Sequence, residues 1–150
     1  MKASSKFGRY SRIYEQLEKL LQKTDDIYAK MATVCAVLHH KMHFFWTGFY
    51  LLRNGELIIG PYQGPVACQV LEKNKGVCWA TINQAKTIVV PDVNKFPGHI
   101  ACDTRSKSEI AVPLGNKSGE IIGVLDIDNV QPGSFDEIDR ENLEKIVGLI

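Results

Sequence analysis

EIAVPLGNKSGEIIGVLDID, residues 109–128, decides the fold. Glu109–Leu114 reads as a strand, Asn116-Lys117-Ser118-Gly119 as a turn, and Glu120–Ile127 as the returning strand. Strands joined by a turn this short run antiparallel. Upstream lies a second unit of the same kind. His43–Leu52 is aromatic and rich in β-formers, and Leu57–Gly60 follows Asn54-Gly55, a pair that tolerates positive φ and marks a hairpin. Gly60-Pro61 and Gly64-Pro65 then break the pattern, so a loop is expected from residue 60. Downstream, Pro132-Gly133 closes the first hairpin's segment. Ser134 and Glu137 read as a capping box for a last helix with the apolar stripe Phe135, Ile138, Leu143, Ile146, Val147 and Ile150.

Two helices precede the strands. Tyr10–Gln22 places Tyr10, Ile13, Tyr14, Leu17, Leu20 and Leu21 at steps of three and four. Thr24 reads as the N-cap of the next helix, with Asp25 and Asp26 suited to its positive end. Its inner stripe is Ile27, Met31, Val34, Val37 and Leu38, with Cys35 beside it. Gly76–Gln84 is helix-compatible and Thr87–Val90 reads as a strand ending at Pro91. Asp92–Ser108 has no clear period, and irregular segments that long are usually functional. The order predicts one α+β domain over residues 1–150: a two-layer fold with a mostly antiparallel central sheet and the N- and C-terminal helices packed on one side.

A chain of 150 residues can bury one core, and 45% hydrophobic with 23% charged residues is ordinary for a globular domain. A net charge of +1 gives no field to hold nucleic acid or an anionic membrane. Lys2, Lys6, Arg9 and Arg12 read as the solvated start of a helix. Residues 1–30 lack the apolar core of a secretory signal, and no run approaches a membrane span. The expected location is the cytoplasm. There, structural disulfides are rare, and Cys35, Cys68, Cys78 and Cys102 are expected to be catalytic, metal-binding or simply buried.

Cys68, Cys78 and Cys102 fall in loops or at element ends. Cys102 follows the turn Pro97-Gly98-His99, and His99, Arg105 and Lys107 are cations near enough in sequence to favour a thiolate. Cys68 sits in the Gly/Pro loop Gly64–Cys68, whose mobility would suit a thiol that must reach a sulfenic acid. Leu125-Asp126-Ile127-Asp128 puts two carboxylates on one face of a strand, with Glu109 able to lie opposite. Crowded carboxylates raise one another's pKa, so one can stay protonated at neutral pH. Alternatively, this is an exposed polar face. Trp46 and Tyr50 share a strand face, either as a ligand wall or as plain core. There is no Cys-x-x-Cys, no histidine at ligand spacing to the cysteines, no phosphate loop and no Gly-x-Ser-x-Gly, so no metal and no cofactor are expected.

The segments FFWTGFYLL (44–52), GPYQGPVAC (60–68), KGVCWA (75–80), VVPDV (89–93), FPGHIACD (96–103), SKSEIAVPL (106–114) and GVLDID (123–128) together resemble the free methionine-(R)-sulfoxide reductases, a family of stand-alone GAF domains. The resemblance covers Tyr10 to Ile150. It implies a thiol-dependent reductase of free methionine (R)-sulfoxide. Cys102 is implied as the attacking thiolate and later sulfenic acid, Cys68 as the resolving cysteine, and Cys78 as a further cysteine of disulfide exchange. Glu109, Asp126 and Asp128 would bind the substrate, Trp46 and Tyr50 would line the pocket, and backbone N–H groups at Ile100 and Ala101 would take its carboxylate. Thioredoxin is the implied reductant and a homodimer the implied assembly. The competing expectation is a non-catalytic GAF module that senses a ligand or redox state.

Overall fold

A computed structural model describes residues 1–99 and 102–150 of the chain. Helices α1 (Ala3–Leu21) and α2 (Ile27–Met42) lead into strands β1 (Trp46–Arg53), β2 (Glu56–Gln63) and β3 (Val70–Leu71). Helix α3 (Gly76–Gln84), strand β4 (Ile88–Val90) and one 3-10 turn (Val93–Lys95) follow. Strands β5 (Ser108–Gly115) and β6 (Ile121–Asn129) and helix α4 (Glu137–Val147) complete the fold. The sheet has the order β3-β2-β1-β6-β5-β4, and every neighbouring pair is antiparallel. No helix among the described residues is long and apolar enough to cross a membrane.

Period-two alternation splits each central strand between two cores. Phe49 and Leu51 of β1, Ile110, Val112 and Leu114 of β5, and Leu125 and Ile127 of β6 face the larger core beneath α1, α2 and α4. Trp46 and Tyr50, Ala111, and Val124 face a smaller cluster with Val77, Cys78 and Trp79 of α3. The terminal helices thus share one face, as the periodicity predicts, and α3 covers part of the other.

The differences from the sequence reading have local causes. Helix α1 begins at Ala3 rather than Tyr10. The extra turns carry no apolar period. Instead Lys6, read above as solvated, is buried, and its ammonium donates to Asp139 at 2.7 Å and Asp136 at 3.2 Å across the fold. The cap of α2 is Asp26, which accepts from the Ala29 amide at 2.9 Å, while Thr24 only accepts from the Asp26 amide. The box at α4 is built by Asp136 and Asp139 in place of Ser134 and Glu137. Asp136 accepts from the amides of Ile138 and Asp139, and Asp139 accepts from the amide of Asp136. Ser134 is occupied with the Gln131 carbonyl at 2.8 Å.

Strand β2 does not stop at Gly60 but runs to Gln63. Its register against β1 shifts between Gly48 and Tyr50, which face Tyr62 and Ile59. One extra β2 residue forms a bulge, and a bulge tolerates a proline's missing N–H. The Asn54-Gly55 turn is as expected, with φ of 51° and 78°. Strand β3 has only two residues and left no pattern to read.

Candidate active site

The register of β1, β6 and β5 builds the site in rows. Trp46 pairs with Asp128, which pairs with Glu109. In the next row Gly48 pairs with Asp126, which pairs with Ala111. The small residues flank the acid, so the cavity opens above it. Cys78 enters from the first turn of α3. The ligand atoms of Cys78, Glu109 and Asp126 all lie within 4.8 Å of one another, and all three residues are buried.

This crowding works against ionisation. Burial, then Asp126 and Asp128, pushes Glu109 well above the usual carboxylate range. Asp128 is pushed up by burial, Asp126 and Asp103. Burial raises Asp126 too, opposed by protons shared from Glu109 and Cys78. Burial and the three carboxylates keep Cys78 a thiol. All three carboxyls are therefore pushed toward the neutral form, and Asp126 Oδ1 is buried with no hydrogen-bond partner. The same three groups have the donor set for a divalent metal, which would first have to displace protons from Cys78 and Glu109.

The wall is aromatic. Trp46 and Tyr50 stack with centroids 6.0 Å apart, and Tyr62 stacks on Trp46 at 5.4 Å. The indole lies over Gly48, where a Cβ would come within 2.4 Å of the ring. At the mouth, Cys68 and Cys102 are joined in a disulfide, with Cα atoms 5.6 Å apart. Cys102 is exposed and Cys68 half-buried. Cys102 lines the cavity together with Cys78, the three acids, Trp46 and Tyr50, and Cys68 reaches it through the disulfide.

Seven of the ten site residues taken from the sequence therefore line one cavity, and an eighth, Cys68, is bonded to Cys102 at its mouth. Ile100 and Ala101 lie outside the described residues. Two of the three cations expected to favour a thiolate are engaged elsewhere. Arg105 donates to both carboxylate oxygens of Asp103 and covers the Phe45 ring, and Lys107 donates to the Thr104 carbonyl. His99 instead faces Glu109, with Nδ1 3.9 Å from the carboxylate, and burial lowers its pKa. The sequence did not single out His99 as a partner of Glu109. His99 lies in a segment with no period, so nothing in the sequence shows which side chain it meets. Cys35 lies apart in the larger core, where its thiol donates to the Pro61 carbonyl at 3.3 Å.

The GAF domain family model matches residues 26–150. GAF domain-containing protein A of Dictyostelium discoideum is 48% identical over 147 residues, covering 97% of this chain and 92% of that protein. The free methionine-R-sulfoxide reductase of Escherichia coli is 37% identical over 139 residues, covering 92% of this chain and 84% of that protein. The structure of free methionine-R-sulfoxide reductase from Neisseria meningitidis, in complex with its substrate, superimposes with a TM-score of 0.93. It is 38% identical and covers 99% of this chain and 90% of that one. The chain belongs to the free methionine-R-sulfoxide reductase family of GAF domains. In this chain the GAF sheet carries a disulfide at the mouth of its cavity and buried acids on its floor.

Proposed function

We propose that the protein is an enzyme that reduces free methionine (R)-sulfoxide to methionine through its own thiols. The observation that carries this reading is the Cys68–Cys102 disulfide at the rim of a cavity floored by Glu109, Asp126 and Asp128. Sulfoxide oxygen leaves sulfur poorly unless it is protonated, and a carboxylic acid kept neutral by burial supplies that proton. Glu109 is the group whose surroundings best suit the role. An ionised neighbour then holds the substrate ammonium. A peptide-bound sulfoxide has no such ammonium, so the cavity favours the free amino acid. The amides of Ile100 and Ala101 are assigned to its carboxylate.

The Cys102 thiolate attacks the sulfoxide sulfur. Methionine departs and the oxygen stays on Cys102 as a sulfenic acid. The Cys68 thiolate displaces that oxygen as water and forms the disulfide. A dithiol reductant of the thioredoxin kind then exchanges through the exposed Cys102 and returns both thiols. Such a cycle suits the reducing cytoplasm. Cys78 takes part in exchange only if it leaves its burial in α3, and its raised pKa makes it the slowest of the three thiols. The homodimer belongs to the same proposal and is checked by light scattering.

The test is turnover of the separated (R) and (S) epimers with thioredoxin recycling. Consumption confined to the (R) epimer is expected. Cys102→Ser is expected to abolish turnover, and Cys68→Ser to release about one equivalent of methionine per chain and then stop. Multiple turnover by Cys102→Ser would remove that residue from its role. Failure of the folded, reduced protein to consume either epimer would favour the sensing module.

A further inference from the structure

We propose that Tyr50 and Trp46 are positioning residues for the resolving cysteine: their hydrogen-bonding tips hold the segment Pro65–Cys68 while their rings form the pocket wall. This rests on the reading of Cys68 as the thiol that closes the disulfide. The Tyr50 hydroxyl donates to the carbonyl of Cys68 itself at 2.9 Å. The Trp46 indole N–H donates to the carbonyl of Pro65 at 3.0 Å. The far end of the segment is fixed as well, because the Ile59 amide donates to the Gln69 carbonyl at 2.9 Å. A stretch that the sequence presents as a free loop is thus held at three points.

The anchors are rigid. Both aromatics stand on the central strand β1 and are 6% and 3% exposed. Trp46 is held between Tyr50 and Tyr62 and pressed onto Gly48. Gly64 begins the segment with a φ of +121°, and a Cβ there would come 2.8 Å from the Phe45 carbonyl and 3.0 Å from the Trp46 ring. Only glycine lets the chain enter against the indole at this distance. Burial and the nearby acids keep the Tyr50 hydroxyl protonated, so it remains a donor throughout the working pH range.

Closing the disulfide is an intramolecular displacement, and its rate and equilibrium follow how well the two sulfurs are held together. A tether on the Cys68 carbonyl raises the effective concentration of that thiol at Cys102. One wall then serves two steps, with ring faces toward the substrate and polar tips toward the resolving segment.

The experiment compares Tyr50→Phe, which keeps the ring and removes the tether, with Tyr62→Phe, which removes a phenol from the same stack without touching the segment. Each reduced protein is equilibrated with glutathione and its disulfide. One protein disulfide and two glutathione molecules give the dithiol and one glutathione disulfide, so the ratio reports the effective thiol concentration. Loss of one hydrogen bond is expected to lower it about fivefold to tenfold in Tyr50→Phe. Tyr62→Phe is expected to match the wild type. In a single turnover with methionine (R)-sulfoxide, dimedone capture at Cys102 should rise relative to disulfide in Tyr50→Phe. Identical glutathione equilibria in Tyr50→Phe and wild type would overturn the positioning role. Absence of methionine release from the wild type would overturn the reductase reading instead, and the glutathione comparison would still decide the tether.

Discussion

Glu109 is buried in a cavity with two aspartates, and its burial costs the fold something that its chemistry needs. A carboxyl whose folded pKa lies above its unfolded one stabilises the fold fully below the unfolded value. It loses that contribution as pH rises through the folded value. Glu109→Gln should therefore melt with the wild type near pH 4 and above it at higher pH. The gap should open with pH by a few degrees, since ~1 kcal/mol moves the midpoint of a domain this size by about 2–4 °C. Calorimetric melts across pH check this, and a gap independent of pH would contradict it. The same variant should lose turnover by about 10²-fold, because an amide cannot deliver a proton. Burial also decides the idle thiols. It pushes Cys35 up to about 12 and holds Cys78 well above its ordinary value. The oxidised native protein should leave a thiol reagent almost unreacted and yield two thiols once unfolded. The acid pair was legible because Asp126 and Asp128 alternate on a strand. Their burial was not, because the polar face of a strand reads the same whether water or α3 lies over it.

Among the elements, α1 and α4 are joined by a buried polar cluster rather than by apolar contact alone. Asp139, 1% exposed, accepts from Lys6 at 2.7 Å and from the Tyr10 hydroxyl at 2.7 Å while completing the α4 cap. Asp139→Ala leaves the buried ammonium only the exposed carboxylate of Asp136, and losing the buried partner of such a pair costs up to about 3–5 kcal/mol. Urea unfolding should show that loss, with a smaller one for Lys6→Met, which leaves Asp139 its Tyr10 and Asp136 partners. Equal losses would mean that the ammonium is not what makes Asp139 costly to remove. The apolar stripe of α1 from Tyr10 onward was plain in the sequence. Its first turns were not, because they are held by a partner some 130 residues away. Local capping patterns misled for the same reason: Ser134 and Glu137 have the right spacing, and Asp139 has the right surroundings. At Pro61 a correct local rule met a bulge that absorbs the missing donor.

Over the whole molecule, the sheet separates two tasks. One face carries the core that holds the domain together, and the other carries the thiols and acids. The Cys68–Cys102 bridge belongs to the second face, yet it closes a 34-residue separation and restricts the unfolded chain. Reduction should lower stability by about 3–4 kcal/mol on the chain-entropy estimate. Denaturation with and without reductant measures this, and an unchanged midpoint would show that the bridge adds nothing to the resting fold. Two hairpins and the flanking helices were legible because each repeats a short-range period. The strand order was not, since β1 meets β6 across about half the chain. That pairing also fixes when the site comes into being. Contacts between distant segments form late, and a chain leaves the ribosome N-terminus first. All four cysteines emerge before Asp126 and Asp128, and Trp46 has no acid opposite it until β6 arrives. The nascent chain thus carries its sulfur before it has a cavity, and the set of acids that floors the cavity is complete only with the last strand.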